Sequence, residues 1–407
     1  MFPSLVVTFF AFLLRIFQLG RPKGLVFDEI YYVDGARDYL KYGVELTKGA
    51  SEFVVHPPVG KWLIAAGIKL FGDNEFGWRI AVAIAGTLTV YLTARIAQRI
   101  FHENKWATLA ALLMALDGLN LVMSRTALLD IFLTLFILLS VNAWLKGKYL
   151  AFAIYLGLAM GSKWSALYFV IAFLALEIFV NRNLIRTIKV GAFSGAVYIS
   201  TWIGWFNSNL GWDRHSKSNP ISSLIYYHKE MLGFHTGLTE KHSYQANPWS
   251  WIVMGRPTSF FYEAPSGCGT KSCAQEVLAI GTPILWWLGV IALIFLIGVN
   301  LHNFAMREFD IATLIPFLGI VAGYLPWFFF QKRTVFTFYA IAFQPFIILA
   351  LVLLAKIAYE YDERFKVIIA IFVFLVAINF VYFYPIFTGQ ITTYDAWYSR
   401  MWWSSWI

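Results

Sequence analysis

Apolar runs long enough to cross a bilayer recur along almost the whole chain, and this recurrence constrains the fold more than any motif. They lie near residues 3–20, 76–100, 107–123, 127–145, 149–162, 164–181, 188–206, 281–301, 309–330, 335–356 and 367–387. About 20 apolar residues span the hydrocarbon core as a helix. Inside lipid an isolated segment can satisfy its backbone only by being helical. The reading is an all-α polytopic membrane protein with about eleven transmembrane helices. The run at 149–162 is the shortest, about 14 residues, and reads equally as a tilted or half-buried segment. It forms a hairpin with the run after it, so losing both would leave the sidedness unchanged. Composition agrees: 59% of residues are hydrophobic and only 14% are charged, far from the balance of a soluble enzyme.

Sidedness follows from the cations. Arg95, Arg99 and Lys105, then Lys146 and Lys148, then Arg182, Arg186 and Lys189, then Arg307, then Lys356, Arg364 and Lys366 share one face if the N-terminus is cytoplasmic. The loops at 21–75 and 207–280 and the C-terminus then face out. The net charge of +9 is thereby a topological signal, and no nucleic-acid partner is expected. The opening apolar run is not followed by a small-residue cleavage site and is kept as the first span. In the loop 21–75, Tyr31–Tyr42 and Lys61–Phe71 mix apolar and charged residues at helical spacing, as interfacial helices do, with Pro57-Pro58 breaking the chain between them. The tail 389–407, with Trp397, Trp402, Trp403 and Trp406, reads as an aromatic belt at the outer interface.

Against this background the polar residues stand out. An acid pair, Asp28-Glu29, follows the first span, and His56, Lys61 and Arg79 return to the same water-facing level. Arg15, Asp117 and Asp130 fall inside spans, where ionisable groups are expensive; they read either as a structural Arg-Asp pairing or as substrate contacts. Arg125, Lys163, Lys332 and Arg333 are cations of the short outer loops and break the charge asymmetry. They either snorkel to lipid headgroups or bind an anionic phosphate. The two cysteines, Cys268 and Cys273, lie in the outer loop 207–280. A disulfide is expected there, with free thiols as the alternative; a metal pair would want more ligands nearby.

An acid pair among cations at the outer face points to group transfer. No Gly-x-x-x-x-Gly-Lys-Ser/Thr loop is present, and an activated sugar outside the cytoplasm must arrive on a lipid. A polyprenyl phosphate carrying a sugar fits. One carboxylate would take the proton of an acceptor hydroxyl, while the basic residues hold the leaving phosphate. A second acid beside that carboxylate raises its pKa toward neutrality. The alternative is a pair of solvated loop acids.

Six ordered runs carry a resemblance spanning nearly the whole chain. Phe-Asp-Glu at 27–29, His-Pro-Pro-Val-Gly-Lys at 56–61, Ser-Arg-Thr-Ala-Leu-Leu-Asp at 124–130, Gly-Ser-Lys-Trp-Ser at 161–165, Gly-Arg-Pro-Thr-Ser-Phe-Phe-Tyr-Glu at 255–263 and Arg-Thr-Val-Phe-Thr-Phe-Tyr-Ala at 333–340 resemble the actinobacterial protein O-mannosyltransferases. The resemblance implies the GT-C membrane fold, a single transmembrane catalytic domain over 1–407, and inverting transfer of mannose from polyprenyl-phosphate-mannose to Ser or Thr of secreted proteins as they cross the plasma membrane. It makes Asp28 the catalytic base and Glu29 an acceptor-site residue, and matches Arg15 and Arg79 to family arginines. It implies as partners the lipid donor, membrane lipids and an unfolded acceptor chain, with the secretion translocon as a further candidate; no cofactor is expected, and the sequence does not say whether a divalent ion is needed. Eukaryotic members insert a large sugar-binding-like module in the main outer loop, and the roughly 70 residues here cannot hold it. A glycosyltransferase acting on a glycolipid or polysaccharide, and a transporter using Arg15, Asp117 and Asp130, are the competing readings.

Overall fold

The computed structural model describes residues 2–407. After α1 (Phe2–Ile16), the first outer loop carries α2 (Glu29–Tyr42), a short hairpin of β1 (Leu46–Thr47) and β2 (Ala50–Ser51), and α3 (Val59–Phe71). Two helices were expected from the sequence in this segment, and two are present. Then come α4 (Glu75–Phe101), α5 (Asn104–Ala115), α6 (Gly118–Met123), α7 (Asp130–Trp144), α8 (Tyr149–Ser162), α9 (Ala166–Asn181), α10 (Leu184–Ser200) and α11 (Ile203–Asn207). The main outer loop holds α12 (Pro220–Gly237), β3 (Thr258–Glu263) and β4 (Cys273–Ala279). Next are α13 (Pro283–Met306), α14 (Ile311–Tyr324), α15 (Gln344–Tyr361), α16 (Phe365–Phe387), β5 (Ile391–Thr393) and α17 (Tyr394–Tyr398).

Two kinds of helix follow from where the apolar residues point. α7 is apolar on all sides and almost wholly buried, as a helix must be when protein surrounds it. α13 and α16 bury one stripe and leave Ile294, Leu301, Ile371, Phe374 and Val381 exposed, surface that only lipid can cover. Among the described residues, five helices are long and apolar enough to cross a bilayer, and shorter apolar helices pack among them.

Several expected spans are broken, each for a local reason. The run 107–123 stops at Asp117, whose carboxylate accepts the Asn120 N–H (2.8 Å), capping α6, and the Trp286 indole N–H (2.6 Å). After α14 the chain tightens into a 3₁₀ turn over Leu325–Phe330, where Pro326 lacks the N–H an α-helix would use. The run 335–356 begins as a 3₁₀ turn over Thr337–Ala342 and becomes α15 only at Gln344, with Pro345 in the first turn.

One end of the bundle gathers the cations that set the predicted sidedness. Arg99 donates to Asn142 (3.0 Å), the Lys105 ammonium sits 4.2 Å from the Tyr359 ring centroid, and Arg186 stacks on Tyr149 at 4.0 Å. The opposite end carries a cap built from both outer loops and the tail. In it β3, β4 and β5 form an antiparallel sheet, with β4 in the centre. Cys268 and Cys273 are joined as a disulfide in the β3–β4 connection, with Cα atoms 5.8 Å apart.

The tail departs from the expected aromatic belt. Trp397 is buried and donates to Glu276 (2.6 Å), while Trp406 is buried and donates to the Met254 carbonyl (2.7 Å). Only Trp402 and Trp403 stay exposed. Periodicity could not show this, because β5 pairs with a strand more than a hundred residues earlier. Burial pushes the Glu276 carboxyl up to about 7, against the pull of its Trp397 and Ser259 hydrogen bonds.

Candidate active site

The acid pair is presented by a backbone conformation that few side chains adopt. Phe27 sits in the left-handed region at φ 49°, a strained position for an aromatic residue. Its ring holds it there by stacking on Phe260 (centroids 4.7 Å apart) and meeting Phe338 (5.6 Å) and Phe336 (6.0 Å) edge-on. The turn ends at Asp28, which precedes α2 without a side-chain capping bond.

The two acids then part company. Glu29 is wholly buried against a wholly buried Arg79, whose Nε and Nη2 donate to Oε1 and Oε2 (2.8 and 2.7 Å). Glu29 also accepts the N–H of Val26 (3.0 Å) and of Ala127 (2.8 Å). The other Arg79 donors reach the carbonyls of Pro22 (2.8 Å) and Gly24 (2.9 Å). Both residues, expected at the substrate, are thus fully bonded within the protein. No lone pair of Glu29 and no donor of Arg79 remains for a substrate; the pair fastens the first outer loop to α4 and to the chain before α7.

Asp28 is the half-buried acid and, among the described residues, makes no ion pair or hydrogen bond through its carboxyl. Burial raises its pKa to about 6, Lys163 pulls it down and Asp130 pushes it up. The second acid that raises Asp28 is thus Asp130 rather than Glu29. Asp130 begins α7, and its Oδ1 pairs with Lys163 at 2.8 Å while its Oδ2 is buried without a hydrogen bond. The Lys163 ammonium also lies 4.3 Å from the Tyr339 ring centroid.

Lys163 lines a cavity of about 160 Å³ together with His56, His235, Arg333, Trp164 and Trp327. His56 leaves Nδ1 buried without a partner, and burial, Lys163 and His235 hold its pKa well below the usual value. Arg333 has no carboxylate partner among the described residues, and its Nε is likewise buried without a bond. Tyr168 and Phe330 line both this cavity and an apolar groove of about 740 Å³ between α9 and α14.

Four other candidates have different places. Arg15 is buried, donating to Ala11 O (2.9 Å), Asn120 (2.5 Å) and Ser124 (3.2 Å); it joins α1 to α6 and does not line the cavity. Arg125 donates to the carbonyls of Arg15 (2.8 Å), Phe17 (2.8 Å) and Gln18 (2.9 Å), closing the C-terminal end of α1, where free carbonyls favour a cation. Lys61 is buried against Glu45 at 2.5 Å. Lys332 is exposed and outside the cavity lining. Of these four expected substrate contacts, the structure places Arg15 in helix packing, Arg125 at a helix end, Lys61 in a buried ion pair and Lys332 in solvent.

Residues 5–74 and 55–205 each match a family model described as dolichyl-phosphate-mannose-protein mannosyltransferase, and 220–406 match the C-terminal four TMM region of protein-O-mannosyltransferase. The polyprenol-phosphate-mannose–protein mannosyltransferase of Mycobacterium tuberculosis is 31% identical over 98% of this chain and 91% of its own length. The chain belongs to the protein O-mannosyltransferase family. The Corynebacterium glutamicum member is 30% identical over 94% of this chain and 88% of its own. The fold is GT-C: the Saccharomyces cerevisiae protein O-mannosyltransferase Pmt1-Pmt2 complex, solved bound to its sugar donor, superposes with a TM-score of 0.81 at 17% identity, covering 100% of this chain and 92% of that one.

In this member of the family, sequence reasoning overlooked the wall of the cavity supplied by α12. His235 lines the cavity, and His228 lies seven residues earlier, two turns along the same helix face and outside the lining. The Tyr198 hydroxyl is 2.7 Å from His228 Nε2 and accepts the Trp164 indole N–H (2.8 Å). Two histidines at helical spacing were the available signal.

Proposed function

We propose that this chain transfers mannose from polyprenyl-phosphate-mannose to Ser or Thr hydroxyls of proteins at the extracytoplasmic membrane face, in a single inverting displacement. The observation that carries this reading is that the cationic cavity and the apolar groove adjoin, with Tyr168 and Phe330 in the lining of both. An anionic head with a prenyl tail needs such a pair of compartments, one lined by cations and one facing lipid. Asp28, its carboxyl unpaired among the described residues and its pKa near 6, takes the acceptor proton. The hydroxyl oxygen bonds to the anomeric carbon as the bond to the phosphate oxygen breaks, and polyprenyl phosphate leaves with the electron pair. Lys163 and Arg333 stabilise the charge gathering on that phosphate. Membrane lipids flank the groove, and an unfolded chain emerging from the secretion translocon is the acceptor. The test is incubation of the purified protein with labelled polyprenyl-phosphate-mannose and a Ser/Thr-rich peptide. Mannosyl peptide of inverted configuration supports the reading; label on glycolipid alone overturns it.

Arg333→Gln and Lys332→Gln separate the cavity from its surroundings. A charge-assisted contact contributes about 1.5–3 kcal/mol, so Arg333→Gln is expected to raise the donor KM by roughly 10- to 150-fold and Lys332→Gln to leave it near the parent value. Equal behaviour of the two variants would place the phosphate elsewhere.

Sidedness has its own check. Cys268 and Cys273 lie in the cap, so a membrane-impermeant thiol reagent is expected to label both in intact cells after mild reduction. Labelling that appears only after lysis would reverse the topology.

A further inference from the structure

We propose that His235 is a positioning residue for donor use, holding the Arg333 guanidinium over the cavity while it ties α12 to the loop that carries His56. The proposal rests on the reading that the cavity takes the donor phosphate.

Both ring nitrogens of His235 face partners that act in one direction only. Nε2 lies 2.7 Å from the Val55 carbonyl oxygen, which can only accept, so Nε2 carries the proton. Nδ1 lies 3.4 Å from Nη2 of Arg333, which can only donate, so Nδ1 is bare. Only the neutral tautomer protonated at Nε2 meets both demands. The groups facing the ring keep it neutral: Arg333, Lys163 and the His56 ring at 5.3 Å surround it, and burial with these cations brings its pKa down to about 4.

The consequence falls on Arg333. No carboxylate of the described residues pairs with it, and the Trp327 ring lies 5.8 Å from its guanidinium carbon. At 3.4 Å the imidazole bond is long, so it steers the guanidinium without competing with an anion for its charge. The segment bearing Arg333 is tied to the end of α12 a second time, since the Thr334 N–H donates to the Leu238 carbonyl (3.2 Å) and its hydroxyl donates to the Glu240 carbonyl. Val55 directly precedes His56-Pro57-Pro58. One imidazole therefore joins the His-Pro-Pro loop, α12 and the guanidinium.

Two near-isosteres separate the two bonds. In His235→Gln the amide nitrogen falls near Nε2 and keeps the Val55 bond, with no acceptor for Arg333. In His235→Asn the carbonyl oxygen falls near Nδ1 and keeps the acceptor, with no bond to Val55. Initial rates of the full-length enzyme are measured with labelled polyprenyl-phosphate-mannose and a Ser/Thr peptide, each varied in turn. His235→Gln is expected to raise the donor KM about 5- to 10-fold with little change in the peptide KM, and His235→Asn, which keeps the acceptor for Arg333 but loses the Val55 tie, to raise the donor KM less than His235→Gln does. On an Arg333→Gln background, His235→Gln should add nothing. Equal behaviour of the two His235 variants, or effects that multiply with Arg333→Gln, would overturn the positioning role while leaving the donor cavity standing. An Arg333→Gln enzyme with the parent's donor KM would remove the cavity reading itself, and the proposal with it.

Discussion

Asp28→Asn is expected to lower mannosyl transfer by about 100-fold or more, through kcat, with the protein still inserted and its donor KM little changed. The substitution keeps size and hydrogen-bonding capacity and removes only the ability to accept a proton. Because the Asp28 carboxyl makes no hydrogen bond or ion pair among the described residues, no structural bond is lost with the charge. The pH profile supplies a second readout. Burial and Asp130 raise the Asp28 pKa to about 6, and a base acts only when ionised. The parent's kcat/KM should therefore climb as pH rises through about 6 and level off above it. The residual activity of Asp28→Asn should lack that limb. Near-parent turnover in the variant, or an unchanged limb, would move the base to another residue.

The second large effect concerns stability. Glu29 and Arg79 are both fully buried, joined by two hydrogen bonds, with further bonds to five backbone groups. Removing one partner strands a charge inside the protein, which destabilises by about 3–5 kcal/mol. Arg79→Gln and Glu29→Gln should each lower the thermal midpoint in detergent and reduce the yield of folded protein. Removing both charges together, as Arg79→Met with Glu29→Gln, should recover part of the loss, because no unpaired ion remains. The folded fraction of Arg79→Gln should keep the parent's donor KM. A stable Arg79→Gln enzyme with weakened donor use would instead return Arg79 to the phosphate.

What separates Asp28 from Glu29 could not be seen from their adjacency. Both belong to one family motif and both were expected to touch substrates. A residue at the start of a helix and its neighbour point in different directions. Here one meets Arg79, fifty positions away, and the other makes no hydrogen bond through its carboxyl among the described residues and feels the charges of Lys163 and Asp130. The outer cations divided in the same way. Lys332 and Arg333 are neighbours with the same charge, yet one reaches water and the other the cavity. Arg15 stood out because charge inside lipid is costly and Arg125 because it breaks the charge asymmetry, but neither ground says more than that partners exist. The partners turned out to be a serine, an asparagine and the carbonyls that end α1.

Hydrophobic periodicity and the order of the polar motifs determined by themselves that this is a helical membrane protein and that the family is that of the protein O-mannosyltransferases. Those properties depend on local composition and chain order, which the sequence states directly. Which acid stays free, which cations face the cavity, and how β5 and the tail tryptophans complete the cap were decided only by the tertiary structure. Each depends on contacts between segments tens to hundreds of residues apart, and burial there converts a charge from a ligand into a fastening.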